Sequence, residues 1–75
     1  MTLFDGSSGS EYRITGIYVA YTIERRLEAL GFNEDTIVKI LTRKKNGAMI
    51  VKLRGTRLAI GKLIAMGIEV KEASQ

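Results

Sequence analysis

The chain has 75 residues, no cysteine and no histidine, and a formal net charge of +4 from 12 basic and 8 acidic side chains. Its length predicts one domain over residues 1–75, and domains of this size bury only about 60% of their unfolded surface. Without thiolates or imidazoles, the sequence excludes disulfides, the usual zinc, copper or iron sites, and a histidine base. We therefore predict that the chain is not an enzyme and carries no metal and no cofactor.

No segment of the sequence is apolar enough to cross a membrane. Basic residues interrupt the longest apolar runs, and none approaches the roughly 20 apolar residues that span a bilayer. Residues 1–20 lack the basic start and apolar core of a signal peptide. We therefore predict no direct membrane insertion and no signal peptide.

The first regular element predicted from the sequence is a strand that includes Tyr12, Ile14 and Ile17. Tyr12 and Ile14 alternate with Arg13 and Thr15, as apolar and polar side chains do along a half-buried strand, and whether Ile17 continues the apolar side is left open. We expect the apolar side to face the core.

Residues 22–31 predict a helix that ends at a glycine. Ile23, Leu27 and Leu30 fall on one narrow apolar stripe, which we expect to face the core. Thr22 is the expected N-cap, because its hydroxyl can accept a backbone hydrogen bond in the first turn. The final glycine suits the left-handed position that commonly ends a helix.

Two adjacent carboxylates, Glu34 and Asp35, follow this helix. They are the residues that come nearest to a metal-binding or acid–base pair. Adjacent residues in a strand point to opposite faces of the sheet, and adjacent residues in a loop are usually solvated. We therefore predict that the pair lies in a solvated turn.

The second half of the chain predicts four short strands and one helical turn. The strands are expected at residues 36–42, 49–54, 56–60 and 68–70, and the helical turn at residues 62–67. Asn46 and Gly47 predict a type I′ hairpin turn, in which both central residues need a positive φ. A further turn is expected at Gly55.

These elements together predict a mainly β fold. About five short strands are expected, with one inserted α-helix and one short helical turn. Short strands joined by tight turns favour a barrel, because closure removes exposed strand edges. The number of elements fits a small SH3-like barrel.

A basic stretch without any acidic residue extends from residue 39 to residue 62. Such a one-sided segment suggests an anionic partner surface, although a solvated barrel face is the simpler explanation. Strand alternation predicts that Lys52 and Arg54 share the outward side of one strand, with Arg57 just past the next turn. Helical geometry places Arg25 opposite the apolar stripe. These four residues are the candidate partner-binding residues.

A nucleic-acid-binding barrel is the alternative that the basic stretch raises. Nucleic-acid platforms interleave aromatic and basic side chains, but every aromatic residue here precedes residue 33. We therefore expect no nucleic-acid partner. Several Lys and Arg side chains converging on one groove would favour this alternative.

Four segments resemble the bacterial ferrous iron transport protein A (FeoA) family in order and spacing. They are residues 12–17 (YRITGI), 25–32 (RRLEALGF), 51–59 (VKLRGTRLA) and 65–70 (AMGIEV). The resemblance implies a small cytosolic SH3-like barrel without established catalytic residues. It also implies support of a membrane ferrous iron transporter that carries a GTPase domain, through binding to the transporter's cytosolic part. Self-association is left open.

The chain departs from the family pattern in its turns. Glu34 and Asp35 stand where the family often has Pro-Gly, and the chain contains no proline. These changes leave the fold unaffected but suggest a different partner specificity. Similar barrels also form the C-terminal domains of iron-dependent repressors. The initial Met1 and the short length favour a free-standing protein over a repressor domain.

Overall fold

The computed structural model describes residues 1–73. In chain order its elements are a 3₁₀ helix at Leu3–Asp5, β1 at Glu11–Ile17, α1 at Tyr21–Leu30, β2 at Ile37–Arg43, β3 at Met49–Leu53, β4 at Thr56–Ile60, α2 at Lys62–Met66 and β5 at Ile68–Glu72. The predicted mainly β fold with five strands, one helix and one helical turn is confirmed. The last two residues of the predicted domain lie outside the described residues.

The five strands form one antiparallel sheet in the order β4-β3-β2-β1-β5. Its two edges are β4 and β5, and α2 links them in the chain. The 3₁₀ helix, which the sequence analysis did not predict, packs against α2 and β5. Its Leu3 is fully buried, so the N-terminal segment is part of the core.

The inward side chains of the sheet form a single hydrophobic cluster. In β3, Met49, Val51 and Leu53 are buried and confirm the predicted alternation. Phe32, in the segment that connects α1 to β2, is fully buried. Tyr12 is buried too, and its hydroxyl accepts a hydrogen bond of 2.7 Å from the Ser7 N–H. A polar group at the core edge is thereby satisfied.

Helix α1 begins one residue earlier than predicted, and Thr22 is not its N-cap. The carbonyl of Ala20 accepts hydrogen bonds from the N–H groups of Ile23 and Glu24, both at 2.9 Å. Backbone bonds therefore start the helix without a side-chain cap. The predicted glycine end is confirmed, because Gly31 has a φ of 108°.

The predicted apolar stripe of α1 is wrong at its C-terminal end. Leu27 is only 4% exposed, whereas Leu30 is 49% exposed. The chain turns at Gly31 and brings Phe32 into the core. Phe32, two residues after Leu30, therefore contributes to the core while Leu30 does not.

The turn at Asn46 and Gly47 is not of type I′. Only Gly47 has a positive φ, and five residues separate β2 from β3. The Gly47 N–H donates to the Lys44 carbonyl at 3.0 Å, and the Lys44 N–H donates to the Ala48 carbonyl at 2.8 Å. This is the three-residue type of hairpin loop, with a bulge at the glycine.

The tight two-residue turn lies instead between β3 and β4. Arg54 and Gly55 both have positive φ, at 52° and 81°, as a type I′ turn requires. Gly55 therefore turns the chain as predicted. Arg54, however, belongs to the turn and not to the outward side of a strand, so its predicted strand position is wrong.

Candidate docking groove on the outer sheet face

Three basic residues lie in one row across the outer face of the sheet. Lys39 on β2 is the register partner of Lys52 on β3, and Lys52 is the partner of Arg57 on β4. We call Lys39, Lys52 and Arg57 the basic row. Lys52 lies between the buried residues Val51 and Leu53, so strand alternation directs its side chain to the outer face.

The two-residue turn determines how closely Lys52 and Arg57 approach. In such a hairpin the residues that flank the turn, here Leu53 and Thr56, form a hydrogen-bonded pair. The next pair, Lys52 with Arg57, is then a non-hydrogen-bonded pair, whose Cα atoms are typically about 4.5 Å apart. The sheet therefore brings two like charges side by side.

Arg54 extends the basic row at the turn and reaches the end of α1. A Cβ atom built on Gly31 would lie 3.4 Å from the Arg54 Cδ and 3.8 Å from its Nε. The Arg54 side chain therefore lies beside Gly31, at the C-terminal end of α1. A cation near a helix C-terminus is favourable, because the last carbonyl groups of the helix carry partial negative charge.

The basic row and Arg54 border a concave groove of about 750 Å³. Carboxylates of Glu11, Glu34 and Asp35 line the same groove, together with the apolar side chains of Ile37 and Leu41. The prediction of a turn at Glu34 and Asp35 is confirmed, since Asp35 has a φ of 71°. The groove can therefore present cations, anions and a small apolar floor to a partner.

The groove cations lack close ion partners within the described chain. Among residues 1–73, the ion pairs within 4 Å are Met1 with Glu69 at 3.5 Å and Arg25 with Glu28 at 3.8 Å. Neither pair includes a groove residue. The positive charge of the groove is thus available to an external anion.

Arg25 is exposed on α1 and does not line the groove. It donates a 2.8 Å hydrogen bond to the Tyr21 hydroxyl, and its guanidinium lies 5.7 Å from the centre of that ring. The structure therefore brings together three of the four sequence-predicted candidates, Lys52, Arg54 and Arg57. It leaves Arg25 engaged on its own helix.

Lys39 and the three groove carboxylates also belong to this site, although no local pattern of the sequence predicts it. Lys39 begins the basic stretch of the sequence, but nothing in the sequence shows that it pairs with Lys52. Glu11 enters the groove because β1 pairs with β2, with Glu11 opposite Lys39. A strand register of this kind depends on the whole sheet.

Metal and membrane features are not found in the part of the chain that the structure describes. No group of three or more Asp or Glu side chains in residues 1–73 is arranged to hold a metal ion. In the same range, no helix is long and apolar enough to cross a membrane. The prediction that no metal binds stays a prediction.

Comparison with known proteins identifies a family match over nearly the whole chain. The model of the FeoA domain matches residues 1–72. A protein of Methanocaldococcus jannaschii, provisionally named Fe(2+) transport protein A, is 32% identical over 65 residues, which cover 87% of this chain and 78% of the relative.

Solved structures show the same fold. The FeoA protein of Chlorobium tepidum superimposes with a TM-score of 0.92 at 25% identity, covering 99% of this chain and 71% of that one. A zinc-complexed FeoA of Stenotrophomonas maltophilia, described as a procaryotic SH3 domain protein, gives a TM-score of 0.83 at 24% identity, covering 95% of this chain and 89% of that one. The predicted SH3-like fold is confirmed.

The repressor likeness raised by the sequence is also found, at the level of the fold. A manganese-dependent transcriptional repressor gives a TM-score of 0.87 at 21% identity. This chain covers 36% of the repressor's length. At that identity the match shows a common barrel and carries no conclusion about function.

Proposed function

Because this chain belongs to the FeoA family of ferrous iron transport accessory proteins, we propose that it binds the GTPase-containing cytosolic part of a membrane ferrous iron transporter. It acts in the cytoplasm as a non-catalytic interaction module, and residues 1–75 form its single domain. The transporter is proposed from the family, and the docking surface is proposed from the geometry of this chain.

One observation supports the proposed docking surface. Lys52, Arg54 and Arg57 lie together in an exposed groove without a carboxylate within 4 Å among the described residues. Exposed charges of one sign steer association with a surface of the opposite sign. Arginine is suited to this role, because its planar guanidinium binds a carboxylate through two hydrogen bonds.

The nucleic-acid alternative gains support from the same cluster, because several basic side chains do converge on one groove. Two features of the groove favour a protein partner instead. Glu11, Glu34 and Asp35 line it beside the cations, so it can pair with both signs of charge as a folded protein surface presents them, and none of its lining residues is aromatic. A mixed-charge groove without stacking platforms fits a folded protein surface better than a nucleic acid.

Capture from membranes tests the proposed function. The tagged protein is immobilised and incubated with detergent-solubilised membranes of the source organism, and bound proteins are identified by mass spectrometry. We expect enrichment of a ferrous iron transporter over a bead control and over the Lys52→Glu/Arg57→Glu variant. Equal recovery of the transporter by the bead control, the variant and the wild type would count against docking. Absence of the transporter from all three samples would also count against it.

A further inference from the structure

The two edges of the sheet differ in how they are covered. At the β5 edge, the Val70 N–H donates to the Met1 carbonyl at 2.8 Å, and Thr2 forms a bridge with Glu69. The N-terminal segment therefore occupies part of that edge. At the β4 edge, no backbone hydrogen bond from elsewhere in residues 1–73 reaches the strand. One edge of the sheet is thus open.

The register specifies which groups the open edge presents. Leu53 and Thr56 flank the two-residue turn and form a hydrogen-bonded pair, so alternation makes Val51 with Leu58 the next such pair. The N–H and C=O groups of Arg57 and Ala59 consequently point away from β3. Both residues are exposed. Their backbone groups form a short template for another strand.

We propose that β4 binds an extended acidic peptide segment as a sixth strand, through the backbone groups of Arg57 and Ala59. Addition of a strand to a free sheet edge is a recurrent mode of peptide recognition. The inference rests on the proposed function for the identity of the partner, which carries this segment. The binding mode itself rests on the geometry of the edge.

The side chains of the edge specify the chemistry of the segment. Arg57 extends to the outer face beside Lys52, so a carboxylate on the residue paired with Arg57 would lie next to the Arg57 side chain, with Lys52 one strand further away. Ala59 is small and leaves room on the same face. Leu58, on the opposite face, is half-buried and would pack against an apolar residue. The segment therefore alternates acidic and apolar residues.

A second copy of the chain is a poorer occupant than an acidic segment. Two β4 strands paired edge to edge would bring the Arg57 side chains of both copies onto one small sheet surface. Like charges across a strand pair are destabilising, whereas an acidic strand would neutralise the basic row. Charge complementarity thus selects the acidic peptide.

Amide hydrogen exchange of the wild-type protein tests the backbone part of the proposal. The probe is a short synthetic peptide that alternates glutamate and valine, and the control peptide has glutamine in place of glutamate. At saturation with the probe, we expect exchange of the Arg57 and Ala59 amides to slow by about tenfold or more. The Leu58 amide, already in the β3–β4 ladder, should change little. The glutamine peptide should give weaker protection.

A pair of variants tests the same edge through affinity. Ala59→Pro removes one outward N–H group at a position where an edge strand tolerates proline, whereas Ala59→Ser keeps that group and the small size. We expect Ala59→Pro to bind the probe at least about tenfold more weakly than Ala59→Ser. Equal affinity of two folded variants would overturn the proposal. The exchange experiment needs no variant and decides the question if Ala59→Pro unfolds.

The remaining outcomes separate this inference from the proposed function. If the probe binds without slowing exchange of the Arg57 and Ala59 amides, the strand addition is overturned. Absence of probe binding overturns it too. In either case β4 is an edge strand that its charge keeps unpaired. Protection that grows with protein concentration alone indicates a second copy and also overturns it. Binding of the transporter's cytosolic part without protection leaves the proposed function intact and refutes the added strand. If the peptide protects these amides but the transporter does not bind, the added strand is supported and the proposed function is refuted.

Discussion

Arg57 lies directly opposite Lys52 in the register of β3 and β4, and Lys39 continues the row on β2. Like charges directly opposite each other on a sheet face disfavour the folded state. No carboxylate of residues 1–73 lies within 4 Å of either side chain. The arrangement is therefore unfavourable in the free protein and becomes favourable when an anionic surface covers it.

Removing one charge of this pair should stabilise the free protein. Arg57→Gln keeps most of the side chain and relieves the repulsion, so we expect the free energy of unfolding to rise by about 0.2–1 kcal/mol. Urea denaturation at low ionic strength measures this change in the free energy of unfolding. Lys44→Gln, in the exposed β2–β3 loop, should change nothing. A gain that persists unchanged in 1 M salt would contradict an electrostatic origin, because charges at this spacing are then screened.

Leu27 and Leu30 provide a matched test of how α1 packs. Leu27 is buried and Leu30 is about half exposed, so truncation to alanine removes the same atoms from very different surroundings. We expect Leu27→Ala to cost roughly 2–5 kcal/mol, a large part of the stability of so small a domain. Leu30→Ala should cost much less. If chemical denaturation shows that both variants lose the same free energy of unfolding, α1 packs along a different face.

The pKa of the Asp5 carboxyl should lie below its ordinary value in the folded protein. The Thr2 N–H and hydroxyl both donate to the Asp5 Oδ2 at 3.0 Å, and the backbone bond is the main cause of the lowered pKa, ahead of the hydroxyl. A carboxyl group whose pKa is lower in the folded than in the unfolded protein stabilises the fold at pH values above the unfolded-state pKa. This stabilisation is lost as the pH falls through the folded-state pKa.

The Asp5 prediction is checked by an NMR titration of the side-chain carboxyl. We expect a midpoint below 3.8, the ordinary value. Thr2→Val removes the hydroxyl donor but keeps the backbone donor, so it should raise the Asp5 pKa part of the way. Asp5→Asn should lower the melting temperature at neutral pH, with a difference that shrinks under acid conditions. A midpoint at or above 3.8 would show that these hydrogen bonds do not persist in solution.

Nucleic acid should bind only weakly and only at low salt. The groove cations give some affinity for any polyanion, but counterion release makes such binding fall steeply with salt and vanish near about 150 mM. Fluorescence anisotropy with labelled duplex and single-stranded oligonucleotides measures it. Sequence-selective nanomolar binding at that salt concentration would make the nucleic-acid alternative the better account of the groove.

Much of the fold could be predicted from local sequence patterns. Alternation predicted the inward faces of β1 and β3, and Gly31 and Gly55 ended elements as glycines at positive φ do. The failures arose where competing interactions decided the outcome. The Ala20 carbonyl starts α1 in place of Thr22, and Phe32 is buried in the core whereas Leu30 is about half exposed. Such competition depends on tertiary packing, which no local window contains.

The candidate site was only partly predictable, for a related reason. Lys52 and Arg57 were selected from a local charge pattern, and the structure places them side by side. Strand alternation predicts Arg54 at the end of a strand, whereas in the structure Arg54 and Gly55 form the two-residue turn and both have a positive φ. Lys39 joins the site through the β2–β3 register, and a register is a property of the whole sheet.

The measurement that tests the account most directly is the affinity of the purified cytosolic part of the transporter for two charge-reversed variants. Lys52→Glu/Arg57→Glu reverses the groove pair, and Lys44→Glu/Lys45→Glu reverses an exposed loop pair outside the groove. Both variants bring the formal net charge from +4 to zero, so a difference between them reports position and not total charge. We predict that the groove variant folds and binds about 30-fold more weakly or worse, as when an interfacial charge pair is cut, while the loop variant binds like the wild type. A folded groove variant with wild-type affinity, or an equal loss in both variants, would contradict docking through this groove.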